Sequence, residues 1–471
     1  MYRFISLIKI ALLCLALGSG VSSAQSISVE PVPEIDGNLV GIISPIQAGI
    51  PKDFLESSEE AALVTALLKQ PDHHFFTLRK FIQRLSLAEL KGPQGGKTKS
   101  GFLAARLDFL LSQGAVDEAD ALLQKAQVDT APLFQRWFEV QLYLEDPINA
   151  CAPLQLRPEL SDAIDVSIYC HAINKDWFAA ELLLVNALEL DRISKSTGDL
   201  LSVFLEPELL DEIVLDPVPS SAAILALTIA EALDLPRQSS NLPISFLHRD
   251  LSENIGWLPR LRAAERLTRT GALAPRYLSE LYAEGVASAS GALWDRVRGT
   301  DNLKAALATN DNQLICKELL KTLTAFHTDA MVPIFSRIFA EELALHPLAG
   351  TECIGAQIFT ILLHPKRSVL LFDLAAELDD KDILTALVRE DFEKTATNGP
   401  LEKAVRAAFR TPLSSKPKAV DILTATVELQ EGRNSDPRQL QKTLTLLRAA
   451  ELEEVAINLA LEVVVLDRLD L

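Results

Sequence analysis

GAVDEADALLQKA, residues 114–126, is the stretch whose reading decides the fold. It has the composition and spacing of an amphipathic helix that packs closely on its neighbours. Its small residues let another helix approach, and Leu122 and Leu123 fill the seam. Asp176–Leu190 and Glu451–Leu466 have the same character, and the first carries a stripe of Phe178, Leu182 and Val185. Val455, Leu459, Val463 and Leu466 form a second stripe near the end of the chain. From Ser57 onward Leu, Ala and Glu recur at helical spacing, with Pro, Gly, Asn or Asp between segments. Ser57 and Glu60 have the spacing of a capping box ahead of a helix at Ala61–Leu68. No run alternates as a strand would, and no hairpin dipeptide joins two strand-like runs.

Many modest helices joined by short links predict antiparallel helix hairpins. The fold class is therefore all-α, an irregular α-solenoid, with an irregular multi-helix domain as the alternative. Residues 25–55, rich in Pro and Gly, read as an extended lead-in. Residues 56–215 read as N-terminal helical repeats and 216–243 as a linker region. Central repeats then span 244–410 and C-terminal helices 411–471.

Residues 1–24, MYRFISLIKIALLCLALGSGVSSA, have the layout of a secretory signal peptide. Arg3 and Lys9 supply the positive start, Ile10–Leu17 the apolar core, and Ser22 and Ala24 the small residues at −3 and −1. The expectation is cleavage after Ala24 and a periplasmic protein, with an uncleaved anchor as the alternative. No later segment approaches a membrane span. The net charge of −19 argues against nucleic acid and anionic membrane surfaces as partners. Aromatic residues make up only 6%, which disfavours a polysaccharide groove built on ring stacking.

Beyond the leader stand Cys151, Cys170, Cys316 and Cys353. In an oxidising compartment an even number reads as disulfides, and three connectivities exist. Helices at Asn312–Phe326, Asp329–His346 and Thr351–Leu363 would run up, down and up. Cys316 and Cys353 then lie near the starts of two parallel neighbours, at one level. Cys151 and Cys170 fall on an adjacent pair of segments. The expected pairs are thus Cys151–Cys170 and Cys316–Cys353, against four buried free thiols.

The motifs that resemble chemistry fail on spacing. Gly92–Thr98 lacks the first glycine of a phosphate loop, where Lys91 stands, so no nucleotide is expected. The seven histidines, including the adjacent His73 and His74, show no metal spacing, and Cys170-His171 fits a disulfide better than zinc. Ser415 and Lys418 match Ser-x-x-Lys by count only, inside a proline-rich loop. Asp379, Asp380 and Asp382 read as a helix start. No catalytic residue, cofactor or metal is assigned.

One charge feature stands out. Arg237, Arg249, Arg260, Arg262, Arg266, Arg269 and Arg276 face only Asp250, Glu253 and Glu265 in the same segment. Arg262, Arg266 and Arg269 share a helical face. With Arg260 they form a candidate docking face for an acidic partner or an anionic envelope polymer; the competing reading is an internal ion-pair seam.

Two resemblances add to this. Gly114–Ala126 resembles the second helix of a tetratricopeptide hairpin, although the Trp, Gly and Tyr positions of that signature are not met. The leader, the acidic helical composition, the segment from Cys151 through Cys170-HAINKDWFAAEL, and Arg262-AAERL with Leu278-SELY resemble a group of exported helical proteins of α-proteobacteria. That resemblance implies a compartment and an architecture, and no activity. The expected function is a non-enzymatic periplasmic scaffold or adaptor that binds another envelope protein. A cell-envelope hydrolase using carboxylates is the alternative.

Overall fold

The computed structural model describes residues 39–71, 74–95, 101–236, 242–327, 330–371, 389, 391–392, 399–412, 415–429 and 434–469. The expected signal peptide, the expected lead-in up to residue 38, His73, Lys97 and Thr98, Arg237 and the Asp379–Asp382 cluster lie outside them. Every regular element among the described residues is helical. Helices of eight or more residues are α1 Glu60–Leu68, α2 Phe76–Leu87, α3 Gly101–Ser112, α4 Val116–Ala126, α5 Ala131–Tyr143, α6 Pro147–Leu156, α7 Ile164–Ile173, α8 Trp177–Glu189, α9 Lys195–Leu205 and α10 Ile224–Ala232. They continue as α11 Trp257–Thr270, α12 Pro275–Tyr282, α13 Ala292–Thr309, α14 Asn312–His327, α15 Val332–Leu343, α16 Thr351–Leu362, α17 Pro400–Arg410, α18 Ala419–Val427, α19 Pro437–Ala449 and α20 Glu453–Arg468. A 3₁₀ segment, Ile244–Leu251, precedes α11.

The opening stretch is α4, the second helix of the hairpin α3–α4. Val116, Ala119, Leu122, Leu123 and Ala126 are all buried, and Asp117 and Glu118 occupy the first turn, where the helix dipole favours them. Gly114 makes the turn with φ +78°, and a Cβ there would stand 2.5 Å from Leu267 Cδ2 on α11. Only glycine satisfies both the left-handed backbone and that contact. Successive helices pack on one another along α4–α10 and α11–α16, as a solenoid-like arrangement requires.

Two apolar cores share α3. Its Leu103, Leu107 and Leu110 join a core built from residues 40–246. Its Phe102, Ala105 and Phe109 join a second core, which combines α1 and α2 with α11–α20. The last helices therefore return onto the first: α18 packs on α1, and α20 on α2. Gln70 Nε2 donates to the Leu423 carbonyl at 2.8 Å, tying residues 353 apart.

Two local expectations change. The helix expected at Ala61–Leu68 begins at Glu60, with Glu59 as N-cap and no side-chain cap bond. Ser58 instead accepts from the Gln94 amide at 2.9 Å, which fixes the approach to α1 by backbone pairing. The expected lead-in is, from residue 39, held in the core: Val40, Ile50, Phe54 and Leu55 are buried. Ile42 N also donates to the Leu87 carbonyl at 2.8 Å. Its prolines limit helix length, but its apolar residues still find a core.

Both expected cysteine pairs are at disulfide distance. Cys151 and Cys170 join α6 to α7 with Cα atoms 5.3 Å apart, and Cys316 and Cys353 join α14 to α16 at 5.5 Å. The second pair closes the longer loop, 37 residues in sequence against 19. Replacing Cys316 and Cys353 by serine is expected to lower stability by about 3 kcal/mol, through the added entropy of the unfolded chain. Denaturant unfolding with and without reductant measures this; a wild type insensitive to reductant would contradict it.

Candidate binding surfaces

The described part of the arginine-rich segment folds as the 3₁₀ turn, α11 and α12, and three of its arginines, Arg249, Arg260 and Arg276, are ion-paired. Arg249 Nη2 lies 2.6 Å from Glu231, and Arg276 Nε lies 2.8 Å from Glu280. Arg260 forms a two-pronged bond with Glu284 at 2.7 and 3.1 Å, which raises its pKa further. Arg260 thus belongs to an ion pair, with its guanidinium committed.

Arg262, Arg266 and Arg269 line a cleft of about 450 Å³ between α11 and the 3₁₀ turn, with Met331 at one edge. Arg262 is exposed, and Arg262 and Arg269 have no side-chain hydrogen bond or ion pair among the described residues. Glu265 stands next to them on the helix but turns inward. Its oxygens take bonds from Arg296 Nε and Nη2 at 2.8 and 2.6 Å and from the Tyr282 hydroxyl at 2.5 Å. Burial, with Glu265 next in order, pushes the Tyr282 phenol well above its usual range, so that hydroxyl stays a donor. Because Glu265 is satisfied from within, it does not neutralise the cleft.

A second surface departs from the sequence expectation. The stripe of Phe178, Leu182 and Val185 points to solvent, with Phe178 78% exposed. The opposite face of α8, Ala180, Leu184 and Ala187, is the one that is buried. Close packing selects the smaller face. At Gly198 of α9 an added Cβ would meet Leu188 Cδ2 at 2.4 Å, so α8 and α9 approach at a distance that only small groups permit. Trp177 and Leu190 are exposed at the two ends of the same helix.

A third site was not legible from the sequence. Glu462 of α20 is buried and accepts from the Phe76 and Thr77 amides at 2.7 and 2.9 Å, capping α2 from across the core. Burial, opposed by those bonds and by Arg79, holds its carboxyl above the usual range. Around it, Lys80 and Arg84 of α2, Arg337 of α15 and Arg367 line a narrow pocket.

Other sequence features are structural. Lys418 sits at the N-cap of α18, its amide donating to Asp421 at 3.1 Å, and Ser415 is exposed. His171 contacts Asp176 at 3.2 Å. Among the described residues no three His, Cys, Asp or Glu side chains gather as a metal site, and no helix is long and apolar enough to cross a membrane. No protein family, curated protein or solved structure matches the chain. The fold defines it as an all-α protein with a solenoid-like arrangement of helices.

Proposed function

We propose that the protein is a non-enzymatic scaffold of the cell envelope that binds another envelope protein. The observation that carries this is the outward stripe of α8. Three large apolar side chains at positions i, i+4 and i+7 present the pattern that an apolar partner helix packs against. The arginine cleft supplies a charged surface of the sign that an acidic partner needs. The signal-like leader and the two cysteine pairs support an exported location. Glu462, which caps α2, and Glu265, held by Arg296 and Tyr282, are committed within the fold. A carboxylate hydrolase, the alternative, would draw on the cleft of about 620 Å³ lined by Glu139, Asp162 and Asp165.

The test is site-specific photo-cross-linking in the native envelope, with the reactive residue at 178, 182 or 185 and at the exposed Glu208 as control. A protein adduct of one defined mass is expected from the stripe and not from position 208. Phe178→Asp with Leu182→Asp should abolish the adduct formed through position 185 and leave the helical circular dichroism unchanged. Adducts equal at all positions, or to lipid alone, overturn the reading.

A further inference from the structure

Lys175, Phe178, Leu182, Val185 and Glu189 follow one another at spacings of three, four, three and four residues, the period of a seam between two helices. Around Leu182 the pattern is symmetric in position and opposite in charge. An apolar side chain stands on either side of it, Phe178 before and Val185 after. Beyond these, Lys175 lies seven residues before Leu182 and Glu189 seven residues after. All five side chains are exposed, Leu182 by 53% and Val185 by 51%. Neither Lys175 nor Glu189 has a side-chain hydrogen bond or ion pair among the described residues. α8 packs on α7 and α9, and its buried side chains, Ala180, Leu184 and Ala187, lie on the opposite face. No other helix among the described residues exposes as many large apolar side chains.

A seam bounded by one cation and one anion selects its partner by charge. Laid antiparallel on a second α8, about a two-fold axis through Leu182, Phe178 meets the second copy's Val185 and Leu182 meets Leu182. Lys175 then faces Glu189 at both ends of the contact. A parallel pair would set lysine against lysine and glutamate against glutamate, and would place like ends of the helix dipoles together. A two-fold contact uses the same patch on both copies, so a patch complementary to itself in this way is complete without a different protein. α8 is 13 residues long, about 20 Å. A contact along one such helix covers less than the roughly 800 Å² per partner of a standard interface. Each copy also carries the chain's net charge of −19, which opposes association. The expected dimer is therefore weak, in the micromolar range.

We propose that the α8 seam pairs antiparallel with the α8 seam of a second copy, making the protein a two-fold dimer. This rests on the reading of the stripe as a helix-binding face and names the helix bound there. It uses no residue of the arginine cleft, which stays open to the envelope partner.

The experiment is sedimentation velocity of the purified full chain from low to high micromolar concentration at physiological ionic strength. A reversible monomer–dimer equilibrium is expected. Lys175→Glu and Glu189→Lys each turn two attractive pairs per dimer into two repulsive ones, and each should weaken the dimer roughly tenfold. Both residues are exposed, so the fold is unchanged, which circular dichroism checks. The protein carrying both substitutions has the same pairs reversed and should associate close to wild type. Monomer at every concentration overturns the proposal, as does a double variant no stronger than the single ones. Photo-cross-linking through position 182 separates this from the scaffold reading. An adduct of twice the chain's mass is expected. With a monomer in the centrifuge, an adduct of any other defined mass removes self-pairing and leaves the scaffold reading standing, whereas no adduct removes both.

Discussion

Replacing Arg106 by alanine is expected to destabilise the protein by about 4–5 kcal/mol. Among the described residues Arg106 is the largest fully buried side chain, and its bonds go to backbone carbonyls rather than to a carboxylate. Nε donates to Ser86 at 2.7 Å, Nη1 to Val40 at 2.7 Å and Nη2 to Ala88 at 3.3 Å. Ser86 lies in the last turn of α2 and Ala88 is its C-cap, so the cation answers the unpaired carbonyls and negative dipole end of that helix. Val40 belongs to the segment that lies along it. Burial brings Arg106 down to about 10, which still leaves it charged at neutral pH. Alanine removes the bonds to three buried acceptors and opens a cavity between the cores on either side of α3.

Lysine at 106 should recover only a small part of the loss, because one ammonium cannot reproduce the planar fork that reaches three carbonyls. Denaturant unfolding gives the size of the effect. Amide exchange locates it, with the Ile42 and Glu89 amides, bonded across this junction at 2.8 and 2.9 Å, losing protection first. A loss under about 1 kcal/mol would show that water replaces the guanidinium at all three carbonyls.

The sequence disclosed what depends on local period and spacing. Helical phase placed Cys316 and Cys353 at one level because both lie near the starts of their helices, α14 and α16, with the single antiparallel helix α15 returning the chain between them. It also exposed the α4 seam, where one face is apolar and the other charged. α8 is different. Phe178, Leu182 and Val185 on one face and Ala180, Leu184 and Ala187 on the other are all apolar, so period alone does not say which face turns inward. The answer lies in Gly198, on another helix. The arginines show the same limit. Arg260 and Arg249 find Glu284 and Glu231 outside the stretch in which charge was weighed, while Glu265, close in sequence to Arg262 and Arg266, is drawn away by Arg296. The pocket around Glu462 was illegible for the strongest reason of all: α2 and α20 meet only because the chain returns on itself.

That return is the subject of the second large effect. Glu462→Ala is expected to cost about 3–4 kcal/mol, because two amides at the start of α2 lose the charged acceptor that caps them. Arg79 would also lose the carboxylate whose charge it faces. Glu462→Gln keeps one acceptor and should cost less, and its difference from wild type should vary with pH in a defined direction. Burial raises the native pKa of Glu462 above its ordinary 4.5, so the folded state holds that proton more tightly than the unfolded chain does. The stability linked to that proton is fully present below about 4.5 and is lost as pH rises through the higher native value. Glutamine carries no such proton. The advantage of wild type over Glu462→Gln is therefore expected to be greatest near pH 4 and to shrink toward pH 7, in unfolding midpoints measured on both proteins. A gap that widens with pH would mean that the amides of Phe76 and Thr77 outweigh burial, and that the ionised carboxylate is the form the core was built to hold.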